Sequence, residues 1–363
     1  MKTGLNRRAP IAVVALMTAV LAACGDDSDA ADDTTATTTT APDTETTVAA
    51  DERDAEWDAI VAAAEQEGQV TLYSSQGVDQ LNAFEAAFEA EYPAIDLTQV
   101  RMTDNDSTAR VDVEHTTGLM ADAWVINSQA TMQAKADEGG WFVEPAGQSF
   151  EAEDYLDEYS HDGGYFEVGA AVLTFAWNTD AVAGGLADYE DLLDPELAGG
   201  RIATIDASVS PAAVDFYLFL EENYGREFVE ALAAQDPRLY PSALPIGEAL
   251  GSGEVAAAAF ALPPIAAQAA GAPVDFAIAD QAWGTRFFGS ILDGGPHPNA
   301  AQVLMDFMVS PAGQEAVQAG QGSVLPDIPG TLTTNDRIRV QDLAALTPER
   351  VAEYLQDWDA LFR

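Results

Sequence analysis

Apolar and polar residues switch between two spacings along most of this chain. Val70-Thr-Leu-Tyr73 reads as a short strand running into a polar loop, Ser74-Ser75-Gln76-Gly77. Leu81, Phe84 and Phe88 then recur at helical spacing, with Asp79 placed to cap the first turn. Tyr92-Pro93 breaks that helix, and Ile95 to Val100 alternates as a second strand. Thr103 to Ser107 is a polar turn ahead of a helix from about Thr108 to His115, in which Arg110 and Glu114 lie four apart. A third strand, Ala121 to Ile126, again ends in polar residues, Asn127-Ser128-Gln129, before a helix from Ala130 to Glu138. Strands alternating with helices of this length predict a parallel, doubly wound α/β sheet. Ligands of such sheets sit beyond the carboxyl ends of the strands, where both polar loops fall.

The flanks extend the pattern. Asp54 to Glu67 predicts a first helix with Trp57, Ile60, Val61 and Ala64 on its apolar face and Gly68 at its end. Farther on, Pro211 to Asn223 predicts a helix that buries Val214, Tyr217, Leu218 and Leu220. Ala256 to Ala261 predicts a buried strand of small residues, and Pro273 to Ala279 a segment carrying the chain back. Helices follow at Asn299–Val309, Pro311–Ala319 and Pro348–Phe362, the last with Val351, Leu355, Trp358 and Leu361 for docking.

The N-terminus departs from this pattern. Lys2, Arg7 and Arg8 precede a short apolar run, Ile11 to Val20, which ends in Leu21-Ala22-Ala23-Cys24-Gly25. The run is too short for a membrane span and is flanked as a signal peptide is. The final five residues are similar to a bacterial lipobox, which predicts a signal peptide over residues 1–23 and lipidation of Cys24. Residues 24–53, rich in Asp, Thr and Ala, hold little to bury and are expected to form a disordered tether. Cys24 is the only cysteine, so intrachain disulfides are excluded.

Charge narrows the partners. The chain carries 61 acidic and 15 basic residues, a formal net charge of -46. No basic stripe exists to neutralise phosphates, so nucleic acid is a poor partner. The three histidines, His115, His161 and His297, show no i, i+4 metal-ligand spacing.

Several stretches in order resemble the extracellular solute-binding proteins of ABC importers. They are Val70-Thr-Leu-Tyr-Ser-Ser75, Ala121-Asp-Ala-Trp-Val-Ile126, Val172-Leu-Thr-Phe-Ala-Trp-Asn-Thr179, Gly253-Glu-Val-Ala-Ala-Ala258 and the segment from His297-Pro-Asn-Ala-Ala301 to Ser310-Pro-Ala-Gly-Gln314. The resemblance implies the type II periplasmic-binding-protein fold: two doubly wound α/β lobes with a central cleft and hinge. Lobe one would hold residues 54–169 and 281–363, and lobe two residues 170–280. It further implies a monomeric receptor at the outer face of the cell membrane, held there by its N-terminal lipid alone. Such a receptor is not an enzyme, needs no cofactor, and delivers a small organic or oxyanion solute to ABC permease subunits.

In motif order the chain is nearest to the ferric-binding members of that family. Their histidine would fall at Gly77, their glutamate near Asn127, and their paired tyrosines around Pro263-Pro264. None of those ligands is present, so direct metal coordination is not expected, and iron would need an exogenous anion. The expected contacts are Ser74, Ser75, Gln76, Asn127, Ser128 and Gln129 from lobe one, with Ser208 and Ser210 ahead of the Pro211 helix from lobe two. Each serine reads equally well as a plain helix cap. Asn178 near the hinge, Tyr240 and Phe260 for stacking, and Arg286 for an anion complete the set. A secreted hydrolase is the reading from another class. It lacks a G-x-S-x-G elbow and would need a histidine, His161 above all, beside a cleft serine.

Overall fold

The computed structural model describes residues 44–118 and 120–363, with side chains described from Arg53 onward. The expected signal peptide, the lipidated Cys24 and most of the expected tether lie outside the described residues. The tether's last ten residues do not: helix α1 runs Thr44–Glu67, so residues 44–53 continue the helix expected to start at Asp54. Ala49, Ala50, Glu52 and Arg53 are good helix formers, and no breaker separates them from the apolar face.

Then come β1 (Gln69–Ser74), α2 (Val78–Glu91), β2 (Asp96–Arg101), α3 (Asp104–Thr117), β3 (Ala123–Ile126) and α4 (Gln129–Glu138). Helix α3 starts four residues ahead of expectation. Thr103 caps it, accepting a hydrogen bond from the Asp106 amide, and Asp104 and Asp106 suit the positive end of the dipole. Gly77, not Asp79, is the N-cap of α2.

Two short strands, β4 (Phe142–Val143) and β5 (Ser160–His161), lead into β6 (Tyr165–Asn178), a 14-residue strand buried along almost its whole length. The second half holds β7 (Ile202–Ile205), α5 (Pro211–Tyr224), α6 (Arg226–Ala234), β8 (Arg238–Tyr240), α7 (Ala243–Gly251), β9 (Ala257–Ala261), α8 (Ile265–Ala269) and β10 (Val274–Ala277). Strand β11 (Trp283–Leu292), α9 (Pro298–Val309), α10 (Pro311–Val317), the short strands β12 (Gly322–Ser323) and β13 (Thr333–Thr334), and α11 (Pro348–Phe362) complete the chain. The mixed α/β architecture is the expected one. The segment at Pro273–Ala279 does not carry the chain back, however: β10 stays on β6 beyond Leu173, and β11 makes the return.

The sheet runs in the order β2-β1-β3-β11-β6-β9-β7-β8. Its first part pairs β11 with Tyr165 to Leu173 of β6; its second pairs β9 and β10 with Thr174 to Asn178. Strand β6 therefore belongs to two sheets in succession. Ahead of that junction, the register between β6 and β11 shifts at Phe287/Phe288, opposite Gly169. Gly169 has φ 140°, and a Cβ there would lie 2.0 Å from the Gln318 amide. Only glycine permits this kink without moving Gln318.

Each sheet has its own core. Phe84, Phe88 and Phe307 cluster under the first sheet, with Trp124, Trp141 and Tyr165 on its other face. The second core joins Phe175, Tyr189, Phe216, Tyr217, Phe219 and Trp358. Trp358 comes from α11, so this helix docks on the second core and touches α5 and α6. The grouping of residues 281–363 with lobe one does not describe it. Its apolar face, Val351, Tyr354, Leu355 and Phe362, fits the aromatic surface around Tyr217, with Trp358 and Phe362 both within 5.5 Å of the Tyr217 ring centre.

Candidate functional site

Strand directions define the site. Strands β1, β2 and β3 are mutually parallel, β3 is antiparallel to β11, and β11 is antiparallel to β6. The first three strands therefore run the same way as β6, toward the second sheet. Strands β7, β8 and β9 are mutually parallel and oppose β6, so they run toward the first sheet. The carboxyl ends of the two sheets face each other, and the loops that follow them form the candidate site.

On the first sheet, Ser74 and Gln76 are fully buried and close on each other. Ser74 Oγ donates to Gln76 Oε1 at 3.2 Å and accepts from the Gln76 amide at 3.2 Å. Gln76 Nε2 has no hydrogen-bond partner among the described residues. The half-buried Ser75 faces the Asp104 carboxylate, although neither Ser75 Oγ nor Asp104 Oδ1 completes a well-formed hydrogen bond. Asp104 Oδ2 accepts the Asn127 amide at 3.2 Å. Burial raises the Asp104 carboxyl above its ordinary value, against the lowering effect of Ser75 and of the Asn127 and Ser128 amides. Asn127 is exposed, Ser128 caps α4 by accepting from the Thr131 amide, and Gln129 opens that helix beside the Tyr165 hydroxyl.

Two features of this loop cluster carry positive charge. Arg101 ends β2, lies across Gln76 with Nε 3.4 Å from its carbonyl, is exposed, and makes no ion pair among the described residues. Helix α2 starts beside it. The Gly77 amide is taken by Gln80 Oε1 at 3.1 Å, which leaves the next amides of the first turn directed at the loop.

On the second sheet, Asp206 Oδ1 accepts from the Ser208 amide and hydroxyl at 2.9 and 2.7 Å, and Oδ2 accepts from Arg363 at 2.7 Å. Burial works against the charged form of Asp206, but Ser208 and Arg363 outweigh it and hold the carboxyl below its ordinary value. Ser210 caps α5 by accepting from the Ala213 amide, and half-buried Tyr240 ends β8. Ser208 and Ser210 thus stand at the site with their oxygens already engaged.

Three of the expected contacts fall elsewhere. Asn178 is buried at the end of the second sheet away from these loops, where it donates to the Leu250 carbonyl and accepts from the Asp180 and Ala181 amides. Phe260 packs between Phe216 and Trp283, with ring centres 5.0 and 5.4 Å away. Arg286 donates to both Glu167 oxygens at 2.7 and 3.0 Å, and to the Asn335 and Ile338 carbonyls at 2.7 and 2.6 Å. Its side chain is only 10% exposed, and it clamps β6, β11 and the 335–338 segment together.

Sequence reasoning missed Arg101, which ends the second strand, and Asp104, which opens the helix after it. Their signal was positional: Arg101 ends β2 as Ser74 ends β1. It also missed the apolar residues of the second sheet's loops, Leu244, Leu262 and Ile265, all exposed. Ile265 reaches the first sheet's side, since a Cβ at Gly320 would lie 2.7 Å from its Cδ1.

The histidines serve structure. His297 joins Asp122 at 3.0 Å and Gln69 at 2.9 Å; His115 stacks on Trp141, with ring centres 3.8 Å apart. His161 stacks on Tyr165 and lies 3.9 Å from Glu167, with no serine in hydrogen-bond reach. Among the described residues no group of three or more His, Cys, Asp or Glu side chains could hold a metal ion.

Comparison with known proteins agrees with this architecture. A family profile described as bacterial extracellular solute-binding protein matches residues 70–320. A search of curated protein sequences gives no match. Among solved structures, a putative extracellular solute-binding protein from Bordetella parapertussis aligns with a TM-score of 0.66 at 14% identity, covering 82% of this chain and 99% of that one. Iron-bound HitA from Pseudomonas aeruginosa gives 0.57 at 18% identity, covering 81% and 99%. AfuA from Actinobacillus pleuropneumoniae, with exogenous fructose-6-phosphate bound, gives 0.53 at 18%, covering 81% and 98%. These structures share the periplasmic-binding-protein fold expected from the sequence. The extent of the profile match, across both sheets and their facing loops, shows that the chain belongs to the bacterial extracellular solute-binding proteins.

Proposed function

We propose that the chain captures a small organic anion between the facing loops and delivers it to an ABC permease. The observation that carries this reading is Arg101: an exposed guanidinium with no carboxylate partner among the described residues, beside the first turn of α2, in a chain of net charge -46. A carboxylate there would meet both the guanidinium and free backbone amides. Ser75 and Asn127 supply neutral hydrogen bonds around it. The remaining loops come from the opposite sheet, so a bound solute favours the closed arrangement, which the permease would recognise. In this reading lobe one is residues 54–169 with 281–347, and lobe two is residues 170–280 with α11. The monomer is held at the outer face of the membrane through a lipid on Cys24.

The test is a thermal-shift and calorimetric panel of carboxylates, phosphonates, amino acids and amines on wild type and Arg101→Ala. Carboxylates should raise the melting temperature of wild type and lose at least tenfold in affinity in the variant. A panel in which no solute shifts either protein refutes the receptor reading.

Iron held with an exogenous anion is the weaker reading. The positions that resemblance assigns to paired tyrosines are Pro263 and Pro264, which offer no donor side chain. An iron-dependent visible charge-transfer band in the purified protein would reinstate it.

A further inference from the structure

Ten large hydrophobic side chains are exposed among the described residues, and five of them, Val78, Val209, Leu244, Leu262 and Ile265, follow the carboxyl end of a cleft-facing strand. Exposed hydrophobics scattered singly need no explanation, but concentration on one pair of loop sets does. Four of the five belong to the second sheet. Behind Leu244 and Leu262 lies a crevice of about 220 Å³ between α7 and α8, floored by Ala176 of β6, Ala261 of β9 and Val274 of β10. Leu244, Gly247, Leu250, Leu262, Pro263 and Ala267 line it, and every residue on its wall is apolar.

A larger crevice of about 580 Å³ lies between the 153–159 segment and residues 278–280 and 324–337. Its walls include Glu153, Asp154, Asp280, Asp327 and Asp336 against Arg337, an acidic cluster to which nothing else on those walls assigns a ligand. The apolar crevice differs in sharing Leu244, Leu262 and Pro263 with the segments that follow the carboxyl ends of β8 and β9. Ile265, in the helix after Leu262, reaches Gly320 of the opposite side.

We infer that this crevice takes the apolar end of the solute, a branched aliphatic group or a single ring, so that the ligand is an amphipathic organic acid rather than a compact oxyanion. The inference rests on the receptor reading and deepens it. A crevice of this size and lining gains nothing from a polar group, whereas each methylene buried in it strengthens binding roughly fourfold. Three of the second sheet's polar residues are meanwhile committed elsewhere: Asp206 to Ser208 and Arg363, Ser208 to Asp206, and Ser210 to its helix.

The experiment compares pairs that share a head group and differ in the apolar end. They are acetate with isovalerate and phenylacetate, ethylamine with isoamylamine, and ethanol with isoamyl alcohol, titrated calorimetrically into wild type and Gly247→Leu. Gly247 lies within α7 and its Cβ position meets nothing within 4 Å, so leucine fills the crevice without backbone strain. Isovalerate or phenylacetate should bind at least tenfold more tightly than acetate, and Gly247→Leu should erase that advantage while circular dichroism stays native. An advantage that appears only in the amine or alcohol pair keeps the crevice and removes the carboxylate. Compact polar solutes binding as well as their apolar partners overturns the inference and leaves the receptor. No binding by any probe or by the wider panel overturns both.

Discussion

The two loop sets that face each other are made of different material. The first sheet presents Ser75, Gln76, Arg101, Asp104 and Asn127; the second presents Val209, Leu244, Leu262, Pro263 and Ile265. The second set also contains Asp206, Ser208 and Ser210, but these already bond to one another, to Arg363 or to the α5 helix. The same contrast separates two arginines. Arg286 spends its terminal nitrogens on Glu167 and two carbonyls, whereas Arg101 has one long contact to Gln76. Residue type alone therefore says little about availability; what decides it is whether the fold has already supplied partners.

The largest expected effect tests that difference at its buried end. Glu167→Ala would strand the Arg286 guanidinium beneath β6 and β11, and such broken buried pairs cost about 3–5 kcal/mol. Urea denaturation should show a loss of that order, with relative affinities among solutes unchanged. Arg101→Ala should do the opposite. Its exposed side chain predicts a stability change within about 0.5 kcal/mol, while loss of a charged hydrogen-bond partner would weaken carboxylate binding by about 1.5–3 kcal/mol. If both variants lose stability alike, the distinction between the two arginines fails.

A smaller effect comes from Asp104. Its carboxyl is raised in the folded protein above the unfolded value of 3.8 by burial, so the folded state holds the proton more tightly. Its contribution to stability is therefore present below that value and is lost as pH rises through the raised one. Asp104→Asn removes this titration while keeping an acceptor for the Asn127 amide. Denaturation midpoints at several pH values from about 3.8 upward should show the variant gaining on wild type as pH rises. A difference independent of pH would mean that Asp104 does not titrate differently on folding.

Elements with a clean period were legible in the sequence, and residues whose roles depend on distant partners were not. Helix α2 has one buried face, so Leu81, Phe84 and Phe88 announce it, and β1 is marked by Val70 and Leu72 ahead of a polar loop although Tyr73 on its other face is buried too. Strand β6 is buried on both faces, which erases alternation, and only its C-terminal half was anticipated. The partner of Arg286 lies 119 positions away in sequence, and no local pattern reveals it. The facing loops themselves were found because strand ends are visible in sequence. On the second sheet the serines drew attention and the exposed leucines did not.

The smallest effect sharpens the contrast from the apolar side. Gly247 sits in the interior of α7, a helix with no other glycine before its last residue, Gly251. Its Cβ position is open and its φ is not in the left-handed region. Replacing such a glycine with alanine removes backbone entropy from the unfolded chain without a steric penalty, which stabilises by about 0.4–1 kcal/mol. If Gly247→Ala raises stability by this amount and at the same time weakens binding of isovalerate or phenylacetate, space at residue 247 is set by the ligand. If stability rises and binding is untouched, the crevice is a packing fault, and the apolar loop set stands without a pocket behind it.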